Sequence, residues 1–271
     1  MLRGEQYITA FDISISEALR KQYPNVKFVQ GSVNDMKAVR EAVQGADVVY
    51  STFAIIRYFE RLPFQLQRSA LVNVEGTNTV VEACIEENVP MLISTSTSNV
   101  CVTDSKEFQV FDETTPYVNM ANAPHHYAYT KAQAEQLVLQ ANSKPLANGK
   151  RLLTAAVRPC SGIFGSRDRF VLQRFLERGT YDIIFVARID WVYVDNVVWG
   201  HLLMEQALAR DPNGVGGKPV CVSNNQPCTT LDMFNTACKI NPGKTYRRLP
   251  RAPFEAMAAV LDVRTEMRRW K

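Results

Sequence analysis

At 271 residues, with 46% hydrophobic and 21% charged side chains, the chain is long enough to bury a substantial core and reads as one large domain. Its 31 basic and 27 acidic residues are mixed along most of the sequence, so a net charge of +4 gives nucleic acid little support as a partner. The six cysteines contain no C-x-x-C pair and the three histidines offer little to a metal, which points to a reduced intracellular setting without a metal site. Met1 to Glu5 reads as neither a signal core nor a transit segment, and no apolar run approaches the roughly 20 residues of a membrane helix.

In chain order, Gln6 to Asp12 reads as a strand, and Ser14 to Gln22 as a short helix with Ala18 and Leu19 turned inward. Val26 to Gln30 is a second strand. Asp35 caps a helix bearing Met36, Val39 and Val43 on one face, and Ala46 to Phe53 reads as a buried parallel strand. Pro63 to Asn88 reads as one long helix, and Met91 to Thr95 as a strand running into the hydroxyl-rich Ser94-Thr95-Ser96-Thr97-Ser98. A helix from about Tyr127 to Ala141, a strand from Leu152 to Arg158 and a turn around Pro159 and Gly162 follow. This alternation predicts an α/β fold: a doubly wound parallel sheet with helices on both faces.

An acid at the end of the second strand of such a sheet can bind adenosine ribose hydroxyls, and Asp12 stands at a strand end. A cap for the following residues explains it as well. Ile13 and Ser14 follow rather than Arg or Lys, which favours NAD over NADP. Tyr127 and Lys131 are four residues apart, on one helix face, where an ammonium can stabilise a phenolate and make it a proton acceptor. A solvent-facing pair is the plainer reading of that spacing. The hydroxyls of Thr95 to Ser98 project from the carboxyl edge of the sheet, where ligands bind, or else simply begin a polar loop.

Six ordered blocks make a resemblance explicit: DVVYSTFA from Asp47, LVNVEGTNTVVEAC from Leu71, VPMLISTSTSNV from Val89, YAYTKAQAEQLVL from Tyr127, RPCSGIFG from Arg158 and WVYVDNVVWGHLL from Trp191. They resemble the extended short-chain dehydrogenases, specifically the 3β-hydroxysteroid and sterol-4α-carboxylate 3-dehydrogenase branch. The resemblance implies a Rossmann-like core over about 1–165 and 189–223, and a small substrate-binding portion over about 166–188 and 224–271. It makes Tyr127 the acid/base, Lys131 the residue that holds the nicotinamide ribose and lowers the tyrosine pKa, and Thr97 the hydroxyl partner, usually serine. On the cofactor side it implies Asp12, Ser32, Val33, Phe53, Ala54, Asn73, Lys131, Pro159, Ile163 and Phe164. It implies oxidation of a steroid or sterol 3β-hydroxyl, with decarboxylation where a 4α-carboxylate is present. It implies too a cytoplasmic protein, with peripheral contact to the endoplasmic reticulum and a homodimer both open. Asp195 and Asn196 read as a helix cap, and His125, His126 and His201 receive no catalytic role.

Two departures accompany the resemblance. Only eleven residues precede Asp12, so the first strand and glycine-rich phosphate loop of the family are expected to be missing. Ser32 stands where the family usually has an acid. A nucleotide-sugar epimerase or dehydratase and a noncatalytic nucleotide-binding remnant are the competing readings.

Overall fold

The structure is a computed structural model that describes residues 7–58, 60, 63–103, 111–160, 162–166, 168, 180–183, 188–243, 245–250, 252–254 and 256–257. In chain order the elements are β1 (Ile8–Asp12), α1 (Glu17–Gln22), β2 (Val26–Gln30), α2 (Met36–Val43), β3 (Val49–Ser51) and α3 (Pro63–Ala70). A π-turn (Leu71–Glu75) leads into α4 (Gly76–Glu86), followed by β4 (Met91–Thr95), a 3₁₀ turn (Ser98–Val100), α5 (His126–Gln140) and β5 (Leu153–Pro159). Then come β6 (Ile163–Phe164), β7 (Thr180–Ile183), β8 (Arg188–Ile189), β9 (Val192–Tyr193), α6 (Val194–Arg210), α7 (Pro212–Val215), β10 (Pro219–Val222), β11 (Cys228–Thr229), α8 (Thr230–Ile240) and β12 (Thr245–Arg248).

The chain divides into two compact units, 1–159 with 198–221, and 160–197 with 222–271. In the first, β1 and β2 pair in parallel from Ile8↔Val26 to Asp12↔Gln30, and a separate sheet runs β10-β5-β4-β3. There β3 is parallel to β4 and β4 to β5. Both sheets feed one core, in which Phe11 and Val49 pack against a cluster that includes Val39, Val81, Leu92 and Val138. This is the α/β, Rossmann-like arrangement expected from the alternation. In the second unit, β6 pairs with β9, β7 with β12 and β8 with β11, each as a two-stranded sheet. Gly162 adopts a left-handed φ of 81°, and a Cβ there would collide with the Trp191 ring, so the turn after β5 requires glycine. Among the described residues no helix is long and apolar enough to cross a membrane.

Several local readings need correction. Helix α1 begins at Glu17, capped by the Ser16 hydroxyl, and buries no residue; Ala18 is exposed, because so short a helix turns little of its surface to the core. The 63–88 segment is helical without interruption from Pro63 to Glu86, as expected, but one turn of it, Leu71–Glu75, is widened into a π-turn that contains Asn73. Of Ala46 to Phe53 only Val49–Ser51 is strand, since the ladder to β4 spans just Leu92 to Ser94. Asp35 does cap α2, accepting from the Lys37 and Ala38 amides. Asp195 and Asn196 lie inside the first turn of α6, which begins at Val194.

Candidate active site

Helix α5 supplies the central pair. His125 caps it, with Nδ1 accepting from the Ala128 amide at 3.0 Å, so the helix starts with its first turn already directed. Tyr127 and Lys131 then fall one turn apart on the buried side, at 5% and 4% exposure. The solvent-facing reading of their spacing is therefore removed. Thr97, 7% exposed just beyond β4, caps the 3₁₀ turn, and its hydroxyl lies near enough to the Tyr127 phenol to favour the phenolate. The Asn99 side-chain amide donates to Thr97 Oγ1 at 3.0 Å and fixes that hydroxyl. Of the hydroxyl run, Thr97 is thus the one joined to the phenol.

The electrostatics differ from the expectation. Burial pushes the Tyr127 phenol well above the usual tyrosine range, the Tyr58 phenol adds to that, and only the Thr97 hydrogen bond opposes it. Burial also pushes the Lys131 ammonium down to about 8, with Glu135 acting against the shift. Lys131 Nζ donates to the Thr95 carbonyl at 2.8 Å. In this geometry the lysine is seated on the strand end, and desolvation outweighs any help it gives the phenolate.

Asn73 is 1% exposed and belongs to the π-turn, a deformation that recurs at functional sites. Its Oδ1 accepts from the Ile55 amide at 2.8 Å, and its Nδ2 donates to the Ile55 carbonyl at 3.1 Å and to Thr130 Oγ1 at 3.0 Å. It therefore ties the loop after β3, where Phe53 and Ala54 are half-buried, to the helix of Tyr127. A Cβ at Gly76 would lie 2.6 Å from Val33 Cγ2 and 3.4 Å from Phe53, so glycine lets the loops bearing those two residues close on α4.

Asp12 is exposed at the end of β1, and Oδ1 accepts from the Ser14 amide at 3.0 Å. It is not the helix cap, which is Ser16. The Asp12 carbonyl accepts from the Gly31 amide, which brings Ser32 beside it, and Ser32 Oγ accepts from the Asn34 amide. Pro159 is buried at the end of β5. Ile163, exposed, and Phe164, half-buried and 5.5 Å from the Tyr193 ring, form β6 of the second unit.

Sequence reasoning passed over several groups. Tyr58 packs edge-on to Tyr127 and His125, at 5.6 and 5.0 Å between ring centroids. Thr95 Oγ1 and His201 Nε2 are 2.7 Å apart, which joins α6 to the strand end that holds Lys131. Glu135 and Arg158 form a buried ion pair, signalled in sequence only by a second four-residue step after Lys131. Within the hydroxyl run that the sequence did single out, Ser96 Oγ is buried without a hydrogen-bond partner at the same strand end. Among the described residues no group of His, Cys, Asp or Glu is placed to hold a metal ion.

The sequence profile of the 3-beta hydroxysteroid dehydrogenase/isomerase family matches residues 1–247. Human short-chain dehydrogenase/reductase family 42E member 1 is 34% identical over 238 residues, covering 84% of this chain and 59% of the relative. The Monkeypox virus 3 beta-hydroxysteroid dehydrogenase/Delta 5→4-isomerase is 29% identical over 216 residues, covering 78% and 61%. The chain thus spans about three-fifths of the length of these relatives. A dTDP-glucose 4,6-dehydratase from Streptomyces venezuelae, solved with NAD bound, superposes with a TM-score of 0.71 at 17% identity, over 90% of this chain and 75% of its own. A UDP-glucose 4-epimerase from Thermotoga maritima gives 0.69 at 20%, over 90% and 78%. At these identities the two structures establish the fold alone.

Proposed function

The chain belongs to the 3-beta hydroxysteroid dehydrogenase/isomerase family of short-chain oxidoreductases, and from that premise we propose that it oxidises the 3β-hydroxyl of a steroid or sterol, with NAD as hydride acceptor. The observation that carries the reading is a buried Tyr127 with the Thr97 hydroxyl beside it and Lys131 one turn further on the same buried face. Thr97 orients the substrate oxygen, Tyr127 accepts the hydroxyl proton and Lys131 supplies the adjacent positive charge. NAD, when bound, supplies the acceptor for the hydride that leaves C3. On a 4α-carboxylated substrate the product is a β-keto acid, whose ketone takes up the electrons as carbon dioxide leaves.

The residues fit the ribose and base ends of a dinucleotide. Asp12 is an exposed acid for the ribose hydroxyls, with Ser32 and Val33 following the Gly31 turn for the adenine. Phe53, Ala54 and Asn73 form the next stretch, Lys131 serves the second ribose, and Pro159, Ile163 and Phe164 are assigned to the nicotinamide. The partnerless Ser96 hydroxyl leaves a buried donor and acceptor for a ligand at the strand end.

The nucleotide-sugar reading has the fold neighbours in its favour. Against it, the loop after β3 presents Ile56 and Tyr58 at 38% and 46% exposure, and Tyr58 leads directly onto Tyr127. Among the described residues of that loop the cation, Arg57, is held by Glu60 at 3.3 Å rather than offered to a diphosphate. Such an apolar approach suits a fused-ring alcohol. NADH formation with a 3β-hydroxysteroid, run beside UDP-glucose turnover, tests the choice. Turnover is expected with the steroid and is lost in Tyr127→Phe while NAD binding stays nearly intact. Turnover of the sugar nucleotide alone, or unchanged rates in Tyr127→Phe, contradicts the proposal.

A further inference from the structure

Helix α5 carries a third ionisable group on the same stripe. Glu135 follows Lys131 by four residues, as Lys131 follows Tyr127, and is 1% exposed. The proposed chemistry leaves it without a role. A buried acid needs compensating charge and hydrogen bonds, and here both are in place. Arg158 of β5, itself 1% exposed, donates from Nη2 at 2.7 Å and from Nε at 3.0 and 3.1 Å, and Tyr117 Oη donates at 2.7 Å. The guanidinium also lies over the Tyr117 ring, 5.2 Å from its centroid. This two-pronged grip prevents the carboxylate from turning.

We propose that Glu135 is a positioning residue for the Tyr127/Lys131 pair: its carboxylate, clamped by Arg158 and Tyr117, is the fixed counter-charge that holds Lys131 as an ammonium on the Thr95 carbonyl. The inference rests on the dehydrogenase reading only in assigning the charge a purpose. The charge balance itself is a property of the fold. Burial drives Lys131 towards the neutral amine, and Glu135 is the group that opposes this. From the other elements around the stripe come the Arg158 cation on β5, the Tyr117 phenol and the Cys101 thiol, the last held protonated by burial. The strand end offers Lys131 only the Thr95 carbonyl, while the Thr95 hydroxyl meets His201. A neutral amine would keep a hydrogen bond but bring no charge to the phenol.

The test is the titration of Lys131 itself, followed by NMR of the lysine Cε and Nζ and assigned by the signal lost in Lys131→Met. In Glu135→Gln the midpoint is expected to fall by about one pH unit, a tenfold loss of proton affinity. In Arg158→Met, which leaves the carboxylate unopposed, it is expected to rise. Should Glu135→Gln fail to fold, Glu135→Gln/Arg158→Met, which leaves no unpaired charge, is read against Arg158→Met, and its midpoint is expected to be the lower of the two. An unchanged midpoint in Glu135→Gln, or a double variant whose midpoint is no lower than that of Arg158→Met, overturns the proposal, as does a fall in Arg158→Met equal to that in Glu135→Gln. The readout needs neither substrate nor cofactor. Failure of the dehydrogenase reading would instead appear as absent steroid turnover in the wild-type protein, with this titration intact.

Discussion

Arg158→Met is expected to be among the most destabilising single changes in the first unit. The mutation removes three hydrogen bonds to Glu135 and leaves a carboxylate at 1% exposure with the Tyr117 phenol as its remaining donor. Breaking one side of a buried ion pair costs about 3–5 kcal/mol, because the abandoned charge keeps its desolvation penalty. The Lys131 ammonium, one turn away, offsets part of this, which places the loss near the lower end. Urea unfolding at pH 7 measures it. Two further outcomes separate this account from simple loss of packing. Glu135→Gln/Arg158→Met, with no orphaned charge, is expected to recover most of the stability. The loss in Arg158→Met is also expected to shrink as pH falls: an unpaired buried carboxylate has a raised folded-state pKa, binds a proton more readily folded than unfolded, and so gains stability in acid. A loss under about 1 kcal/mol, or a double variant as unstable as the sum of the singles, refutes the reasoning.

Asn73→Ala removes the bridge between Ile55 and Thr130 and is expected to cost about 1–3 kcal/mol in urea unfolding, with weaker NAD binding; a change in neither contradicts the bridge. Lys131→Met is expected to be more stable than wild type at pH 7, and the gap to narrow by up to about 3 kcal/mol towards pH 10. The folded-state pKa lies near 8, below the ordinary 10.5, so the unfolded chain binds more protons in that window and wild-type stability rises with pH relative to the variant. Comparing the two proteins cancels the buried tyrosines and Cys84, and a constant gap would show that Lys131 is not desolvated. Steady-state kcat/KM is expected to be larger with NAD than with NADP, and Asp12→Ala to narrow the difference; a preference for NADP removes the ribose role of Asp12.

Much of the first unit is legible locally because its signals are local. Val26–Gln30 and Met91–Thr95 are apolar runs bounded by turns, and the Asp35 cap announces α2. The failures trace to partners distant in sequence. Periodicity carries the 63–88 segment as one helix but not its π-turn, where Asn73 reaches Ile55 and Thr130, 18 and 57 residues away. The run from Ala46 is apolar throughout, yet strand extent is set by the ladder β4 offers. Family blocks located Thr97, Tyr127 and Lys131, but not what each side chain touches: that Lys131 meets the Thr95 carbonyl depends on β4 ending beside α5.

The stripe Tyr127, Lys131, Glu135 shows why spacing alone says so little about charge. In sequence it is a phenol, a cation and an anion at helical intervals, and on a solvated helix the ion pair would contribute a few tenths of a kcal/mol and tune nothing. Placed against β4 and β5, the same residues lose their water, and each charge state becomes conditional on its neighbour. Tyr127 is driven towards neutrality, Lys131 is pulled the same way, and Glu135 is gripped by Arg158, a residue 23 positions further along on another element. The charge on the ammonium then depends on the carboxylate, and the carboxylate's position on the strand that bears its guanidinium. A substitution on β5 can therefore alter the charge at the strand end without touching Tyr127 or Lys131.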